Sequence, residues 1–365
     1  MLSAKRVRLV KKIVPHIIIF LIGGLLYIFI ERSTLGDIDH YPETGNYYNF
    51  SISVITVLCQ AFILGLIFGI LEEYVFKNLL QRKPFLMKLI LKIILYVAII
   101  FTMAIISSLI LNVWRVNLTR SHSDVIRPVV HFTVNFSFLT ALSYTGVLIG
   151  IGLFYSEMVD YIGLNAIANF FTGKFSKSKV EDRVFMFLDM KSSTTIAEKL
   201  GHEQYYQLLN NYYRDMTSAI VSTGGEIYQY VGDEIIVSWE YEKGIKDLNC
   251  IQCFFLIRDK MEKRYSFYQQ KFGVVPGFKA GIHAGQVTAG EVGVIKREIL
   301  FTGDVLNTTA RIQGLCNELG VDLLISQKLE AVLGLKEKYA VQAKGSFELR
   351  GRNKKIELYT VDRHL

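Results

Sequence analysis

Two stretches of sequence decide the fold of the C-terminal half of the chain. The first is Val184-Phe-Met-Phe-Leu-Asp-Met-Lys-Ser-Ser-Thr-Thr195, and the second is Ile227-Tyr-Gln-Tyr-Val-Gly-Asp-Glu-Ile-Ile-Val-Ser-Trp239. Val184–Leu188 is a short apolar run, which is typical of a buried strand. The second stretch reads as two strands joined by a tight hairpin at Gly232-Asp-Glu234. Since the intervening segment Thr195–Ile220 has a helical period, the pattern begins β-α-β-β.

The remainder of this half continues the alternation of helices and strands. Ile245–Tyr268 reads as a second helix, Phe278–Ala284 and Gln286–Gly290 as a further strand pair, and Val305–Cys316 as another helix. The order β-α-β-β-α-β is that of a ferredoxin-like sheet with additions, so we predict an α+β ferredoxin-like domain. The closing strands are predicted at Leu323–Ser326, Phe347–Leu349 and Ile356–Val361.

The N-terminal half has a different composition. Hydrophobic residues make up 51% of the chain, the mean hydropathy is +0.31, and most of the excess lies before Met158. Four uncharged runs there are long enough to cross a hydrocarbon core, which takes about 20 apolar residues as helix. Buried core helices are the alternative, but such helices carry a polar stripe and these runs do not. We therefore predict an α-helical transmembrane domain of four helices at Val14–Ile30, Ile52–Leu71, Ile93–Val113 and Pro128–Tyr155.

The distribution of Lys and Arg predicts how these helices are oriented, because cytoplasmic segments are enriched in both near the membrane ends. The N-terminal segment and the second loop are basic, the first loop is mainly acidic, and the basic third loop fits less well. We predict a multi-pass protein in the lipid of a plasma membrane or inner membrane, with its C-terminal domain in the cytoplasm. The basic residues are Lys5, Arg6, Arg8, Lys11 and Lys12, then Lys77, Arg82, Lys83 and Lys88, then Arg115, Arg120 and Arg127.

The segment between the two halves has the pattern of a linker. A stripe of apolar residues continues the last helix beyond the membrane, and it fits packing either against a second copy or against the domain itself. The polar stretch 172–182 then breaks the helical pattern. We therefore divide the chain into a four-helix transmembrane region at 1–155, a helical and polar linker at 156–182 and an α+β domain at 183–365. The residues of the stripe are Met158, Ile162, Ala166 and Phe170.

Charge and cysteine content narrow the class of protein. The net charge of +8 is largely a positive bias of the predicted cytoplasmic segments, so it needs no nucleic acid as a partner. The four cysteines show no disulfide framework, which fits a reducing compartment. Cys250 and Cys253 form a single C-x-x-C in a predicted amphipathic helix, and without a second ligand pair this favours packing over zinc binding.

Two carboxylates in the deciding stretches predict a site for a metal and a nucleotide. Asp189 ends the first strand and Asp233 lies at the hairpin tip, so in this sheet topology both can reach one edge. Each alone would fit a turn or a helix N-cap, but a converging pair is how Mg²⁺ is held when phosphates supply further ligands. Ser192, Ser193 and Thr194 open the next helix, where free backbone N–H groups form a cradle for phosphate.

Four motifs resemble the class III adenylate/guanylate cyclase homology domain. They stand in the family's order and cover about residues 180–362, and a multi-helix membrane anchor before the domain is also similar to many cyclases. The resemblance implies a membrane-bound enzyme that converts ATP to 3′,5′-cyclic AMP and pyrophosphate by two-metal-ion catalysis. The motifs are Phe187-Leu-Asp-Met-Lys-Ser-Ser-Thr194, Tyr230-Val-Gly-Asp-Glu234, Gly281-Ile-His-Ala-Gly285 and Gly303-Asp-Val-Leu-Asn-Thr-Thr-Ala-Arg311.

The resemblance also implies a role for each motif residue. Asp189 and Asp233, with the Met190 carbonyl, would bind two Mg²⁺ or Mn²⁺ ions per active site. The ions would activate the ribose 3′-hydroxyl and hold the triphosphate of the nucleoside triphosphate substrate. Asn307 would orient the ribose, and Arg311 would stabilise negative charge on the α-phosphate.

The implied active site is shared between two chains. In this family the metal aspartates come from one chain of a head-to-tail dimer, whereas Asn307 and Arg311 would come from the other. Arg350, which stands where the family often has a phosphate-binding Lys, would join them. Because this chain carries both sets, the resemblance implies a homodimer with two sites.

The two positions that read the purine in this family depart from its usual pattern. Gln229 stands where ATP-using members commonly have Lys and guanylate cyclases Glu, and Leu300 stands where a hydrogen-bonding residue is usual. Glutamine offers a donor and an acceptor, so it suits either base. ATP is expected because adenylate cyclases are the commoner members. A guanylate cyclase and a catalytically degenerate nucleotide-binding membrane receptor are the alternatives.

A different enzyme class shares part of the hairpin. Gly232-Asp-Glu-Ile235 resembles the Gly-Gly-Asp-Glu-Phe hairpin of diguanylate cyclases, which have a similar sheet. That class needs a second glycine where Val231 stands, and it gives Asn307 and Arg311 no role. The class III family therefore accounts for more of the sequence.

Overall fold

The structure is a computed structural model of the 365-residue chain, and it describes residues 4–41, 48–76, 79–80, 83–116, 130, 136–295, 297–348 and 355–364. Arg6–Phe171 forms one compact unit, and the chain from Thr172 onward forms a second. The division at residues 155 and 182 remains a prediction.

The N-terminal unit has, in its described part, four helices long and apolar enough to cross a membrane, which confirms the prediction of four such helices. The third begins earlier than predicted, since it includes Lys88 and Lys92. The fourth run was predicted from Pro128, which lies outside the described residues. The helices are α1 Ala4–Leu35, α2 Phe50–Ile70, which continues into a π-helical turn at Leu71–Phe76, α3 Phe85–Val116 and α4 Phe136–Ile162.

Ion pairs show that these four helices run alternately in opposite directions. Lys12 near the start of α1 and Lys92 near the start of α3 both contact acidic side chains at the ends of α2 and α4. We call this group the charged end of the bundle. Its members are Lys12, Lys92, Glu72, Glu73, Glu157 and Asp160.

A close approach of backbones holds α1 against α2. A Cβ atom at Gly65 would lie 2.7 Å from the Cα of Ile17, so only glycine fits at this crossing. Gly69, four residues later, faces Ile13, where a Cβ atom would lie 2.9 Å from the side-chain Cγ2 and 3.2 Å from the Cα. This small-xxx-small spacing is typical of tightly packed membrane helices.

The helix that leaves α4 is interrupted. α4 ends at Ile162, Gly163 has a φ of +95°, and a short helix α5 covers Leu164–Thr172. The predicted stripe therefore breaks at the glycine, whose backbone conformation a helix does not accept. Ile162 and Phe170 of the stripe are exposed in the chain.

The second unit is built on one mixed sheet, which has eight strands in the described residues. Their order is β2-β3-β1-β4-β6-β8-β7, with β5 paired to β4. The run β2-β3-β1-β4 is antiparallel throughout and has the ferredoxin-like order, as the sequence predicts. The strands are β1 Lys179–Met190, β2 Glu226–Val231, β3 Glu234–Glu240, β4 Phe278–Val292, β5 Glu298–Thr302, β6 Leu323–Ser326, β7 Tyr339–Glu348 and β8 Lys355–Arg363.

Three predicted elements were wrong in their limits. The strand pair Phe278–Ala284 and Gln286–Gly290 is one strand, β4, because Gly285 stays paired with Arg183 of β1. β1 begins at Lys179, inside the stretch predicted as polar linker. The helix predicted at Ile245–Tyr268 is broken, because Asp247 and Leu248 have positive φ values.

The helices of this unit cover both faces of the sheet. They are α6 Ser193–Ser222, α7 Tyr241–Ile245, α8 Asn249–Lys263, α9 Tyr265–Phe272, α10 Asp304–Glu318 and α11 Gln327–Leu333. Even-numbered residues of β1, such as Met186, belong to the core that α6 and α8 cover. Odd-numbered ones, such as Phe185, pack with Val305 of α10 on the other face. Asp189 continues the odd-numbered set, so β-strand alternation directs it to the face of α10.

Candidate active site

The hairpin between β2 and β3 presents Asp233. Val231 pairs with Glu234, so the loop has only two residues, Gly232 and Asp233. Gly232 has a φ of +63°, a conformation that a glycine adopts at little cost and that suits a two-residue turn. The Tyr213 hydroxyl donates a hydrogen bond of 2.7 Å to the Gly232 carbonyl. The turn is therefore fixed from α6, and Asp233 is held at its tip.

Asp189 lies at the end of β1, directly beside that turn. Leu188 pairs with Ile235 of β3, and Asp189 pairs with Lys279 of β4. Burial, followed by the charge and hydrogen bond of Asp233, raises the pKa of Asp189, whereas Lys279 acts in the opposite direction. The structure thus brings the two predicted metal-binding carboxylates together.

Asp189 is contacted by two residues that the sequence analysis did not identify. Lys279 Nζ lies 3.4 Å from Asp189 Oδ2, and Gln313 Nε2 of α10 donates to the same oxygen at 3.2 Å. Lys279 could have been noticed in the sequence, because it is a charged residue within the apolar strand Phe278–Ala284. Gln313 gave no such signal, since its position depends on how α10 packs.

A third carboxylate lies close to the pair. Burial, and then the charges of Asp189 and Asp233, raise the pKa of Glu234 to about 7. We call Asp189, Asp233 and Glu234 the carboxylate cluster. Among the described residues, no three His, Cys, Asp or Glu side chains converge as a ready-made ligand set. Within the cluster, Asp189 and Asp233 therefore offer two carboxylates for a metal, and further ligands have to come from elsewhere.

The start of α6 has the backbone features of a phosphate site. Ser192 has a φ of +54°, which is rare for a residue other than glycine, and it places α6 directly after Met190 and Lys191. Its side chain does not cap the helix, and both Ser192 and Thr194 are exposed. Ser193 hydrogen-bonds Tyr205. The Met190 side chain is buried in the core, so this residue can offer only its backbone to a ligand.

Helix α10 packs against the sheet and carries the two predicted catalytic residues, Asn307 and Arg311. A Cβ at Gly281 of β4 would lie 2.5 Å from the Gln313 backbone nitrogen, so helix and strand touch there. Successive helical residues turn by about 100°, which places Gln313 nearly opposite Arg311 and about 120° around the helix from Asn307. Gln313 faces Asp189, whereas Asn307 is exposed and Arg311 half-buried. Within one chain, the helix geometry directs Asn307 and Arg311 away from the carboxylate cluster.

The predicted purine-reading residues lie on two strands that approach each other. Gln229 is exposed on β2, and Leu300 is exposed on β5. Their neighbours touch, since the Phe301 N–H donates to the Tyr228 hydroxyl at 3.2 Å. Arg350, the predicted phosphate-binding residue, lies outside the described residues.

A family model supports the same reading of the C-terminal unit. Residues 175–363, just over half of the chain, match the model described as adenylate and guanylate cyclase catalytic domain. The chain belongs to this family. The predicted resemblance to class III cyclases is thereby confirmed.

Individual relatives extend the comparison. This cyclase-family chain is 33% identical to adenylate cyclase 2 of Rhizobium meliloti over 61% of each chain. It is 26% identical to an adenylate cyclase of Anabaena cylindrica over 56% of this chain and 41% of that one. A bacterial light-regulated adenylyl cyclase of known structure has the same fold, with a TM-score of 0.52, 20% identity and coverage of 62% and 65%. The chain thus spans less than two thirds of the length of these relatives.

Proposed function

We propose that this chain is a membrane-bound adenylate cyclase, which converts ATP to 3′,5′-cyclic AMP and pyrophosphate. The proposal depends on one observation, the meeting of Asp189 and Asp233 beside the open start of α6 in a member of the cyclase family. ATP is preferred to GTP because both sequence relatives named above are adenylate cyclases.

The carboxylates suit the divalent ions that this family uses. Mg²⁺ and Mn²⁺ prefer hard oxygen ligands and take phosphate oxygens readily, and the cluster offers two carboxylates with the Met190 carbonyl next to them. Two ions held there would lower the pKa of the ribose 3′-hydroxyl and offset the charge of the triphosphate. The mutual repulsion of Asp189 and Asp233 is relieved when cations bind, which also favours occupancy.

The other residues bind and orient the nucleotide. Backbone N–H groups of Ser192, Ser193 and Thr194 donate hydrogen bonds to phosphate oxygens, which the exposed start of α6 supports. The Arg311 guanidinium binds the α-phosphate and stabilises the charge that grows there as the 3′-oxygen attacks and pyrophosphate leaves. Asn307 holds the ribose in line for this attack.

The three remaining predicted residues bind the purine base and the outer phosphates. Gln229 hydrogen-bonds the purine edge with either its donor or its acceptor. Leu300 packs on the base without reading it. Arg350 adds a further cation for the phosphates.

The enzyme is proposed to act as a homodimer with two sites. Support comes from α10, since Gln313 turns toward the chain's own Asp189 while Asn307 and Arg311 turn away. A second chain, packed head to tail, can supply these two residues to the cluster. Each site then draws its carboxylates from one chain and its Asn and Arg from the other.

The membrane placement completes the proposal. Four helices that alternate in direction bring the chain back to the side on which it started. The basic N-terminal segment favours a cytoplasmic start, so the cyclase domain lies in the cytoplasm, where ATP is available.

The test is product formation by the full-length protein purified in detergent. The protein is incubated with ATP or GTP and Mn²⁺, and cyclic products are separated by chromatography. We expect cyclic AMP, and we expect Asp233→Ala to reduce its formation by more than about a hundredfold, since even outer-shell partners of a metal cost 10–100-fold. Asp182→Ala, at an exposed aspartate on the same strand as Asp189, is the matched control and retains activity.

The outcomes separate the alternatives. Cyclic GMP alone would retain the mechanism and overturn the choice of base. No product from either nucleotide, in a preparation shown to be dimeric, would favour a nucleotide-binding membrane receptor.

A further inference from the structure

Lys279 occupies an unusual place for a lysine. It is the second residue of β4, an interior strand of the sheet, and it stands between the buried residues Phe278 and Ala280 with a side chain that is only 10% exposed. Lysine is rarely buried unless its charge is paired. Its partner is Asp189, a residue of the proposed metal site.

The pairing is loose, and it is shared between two acids. Lys279 Nζ is 3.4 Å from Asp189 Oδ2, beyond the 2.7–2.9 Å typical of a charged hydrogen bond. Its positive charge also acts on Glu234, in the direction opposite to the two aspartates. Lys279 therefore acts on two carboxylates, Asp189 and Glu234, and it acts on Asp189 more through its charge than through its hydrogen bond.

Gln313 contacts the same oxygen without carrying charge. Its Nε2 donates to Asp189 Oδ2 at 3.2 Å, and its backbone is locked against Gly281. Gln313 can orient the carboxylate but cannot compensate its charge. Lys279 thus supplies charge to Asp189, whereas Gln313 orients its carboxylate, so the two effects can be measured with separate variants.

We propose that the positive charge of Lys279 stabilises the carboxylate cluster when no metal is bound. It thereby keeps the affinity of the cluster for free divalent cations low. The inference rests on the proposed function, because it takes Asp189 and Asp233 as the metal-binding residues. Gln313 is a positioning residue that holds Asp189 in its metal-binding orientation. Divalent ions then bind well only together with the nucleotide, whose phosphates add the negative charge that Lys279 offsets.

Electrostatics gives the sign of the effect. Like charges a few ångströms apart in a half-buried site repel appreciably, so Lys279 opposes an incoming divalent ion. Removing its charge also increases the repulsion among the three carboxylates when no metal is bound. Both changes strengthen metal binding.

The experiment measures Mn²⁺ binding to the full-length protein in detergent, without nucleotide, by electron paramagnetic resonance at about pH 8, where carboxylates are normally ionised. We expect Lys279→Met to bind Mn²⁺ about tenfold more tightly than wild type, which corresponds to about 1.4 kcal/mol. Lys279→Arg, which retains the charge, stays close to wild type. Gln313→Leu weakens binding about tenfold, as loss of an outer-shell partner does. The matched control is Lys271→Met, at an exposed lysine of the same unit.

The Mn²⁺ binding that remains in the Asp233→Ala variant measures binding outside the proposed metal site. If Asp233→Ala loses Mn²⁺ but Lys279→Met binds it no more tightly than wild type, the inference is overturned and the proposed function stands. If wild type and Asp233→Ala bind Mn²⁺ alike even with a non-hydrolysable ATP analogue, the proposed function fails. Should Lys279→Met not fold, Lys279→Gln removes the same charge and is subject to the same criteria.

Discussion

The charged end of the helix bundle and the carboxylate cluster of the cyclase domain both place acids beside lysines, yet they pair them differently. In the bundle, Lys92 donates to Glu72 at 2.7 Å, and both side chains are less than 10% exposed. Tyr96 donates a further hydrogen bond of 2.9 Å to Glu72. In the cyclase domain, Lys279 is 3.4 Å from Asp189, and its charge also acts on Glu234.

The two regions differ in the distances between lysines and acids rather than in the excess of acids over lysines. Each region has more acids than lysines, but in the bundle each lysine makes one direct contact and has a second acid within 3.6 Å. Such pairs join α1 and α3 to α2 and α4 and leave little reason for another cation to enter. In the loosely paired cluster at the edge of the sheet, the carboxylates outnumber the one lysine, so their oxygens can still bind metal ions when the nucleotide arrives.

The largest effect is expected where the pairing is tightest. Lys92→Leu leaves the buried Glu72 without its cation, and breaking such a buried pair costs about 3 kcal/mol or more. The free energy of unfolding of the full-length protein, from SDS-induced unfolding followed by circular dichroism, should fall by this amount.

Two variants sharpen this result. Lys88→Leu removes a half-buried lysine one turn away on the same helix and should have little effect. In the double variant Glu72→Leu with Lys92→Leu the buried pair is removed as a whole, and only the more exposed Glu157 loses a partner, so most of the stability should return. A Lys92→Leu protein as stable as wild type would contradict the structural role of the pair.

A second prediction tests whether Asp233 and Arg311 of one active site come from different chains. Asp233→Ala and Arg311→Ala should each be nearly inactive, since one removes a carboxylate and the other the α-phosphate ligand. If the site is shared between chains, a protein mixed from both variants contains dimers with one intact site. Random pairing gives about one quarter of the wild-type activity.

The mixing experiment also has an internal control. Asp233→Ala mixed with Asp189→Ala has no chain with both carboxylates, so every site stays defective. Equal activity of the two mixtures would exclude a shared site and place Arg311 near the cluster of its own chain.

A third prediction concerns the glycines that allow close packing in each region. Gly281→Ala brings a Cβ within 2.5 Å of the Gln313 backbone, and Gly65→Ala brings one within 2.7 Å of Ile17. Because backbone atoms cannot rotate away, each change should cost about 2 kcal/mol, as overpacking does. Gly314→Ala on α10, where a Cβ would meet open space, is the control. Thermal unfolding measures all three.

Much of the fold and part of the site could be predicted because local pattern determined them. The apolar runs gave the four helices, and strand alternation with the Gly232-Asp233 turn placed Asp189 beside Asp233. The continuous strand β4 could not be predicted, since Gly285 looks like a break and is kept extended by pairing with β1. Gln313 gave no signal in the sequence, and Lys279 could be noticed but not assigned to Asp189, because both contacts depend on how α10 and β4 pack rather than on spacing in the sequence.

The smallest expected effect is a dependence of stability on pH that arises from the loosely paired acids. Burial and the neighbouring aspartates raise the pKa of Glu234 to about 7, above its ordinary value of 4.5. The folded state therefore holds this proton more tightly than the unfolded state, and the resulting stabilisation is complete below about pH 4.5 and is lost as the pH rises through 7. In EDTA, the melting temperature of the full-length protein should fall between about pH 5 and pH 8. Glu234→Gln should flatten this fall, whereas Glu203→Gln, at an exposed glutamate of α6, should leave it unchanged. An equal slope in both variants would mean that the cluster is already neutralised, and it would remove the distinction between the two regions.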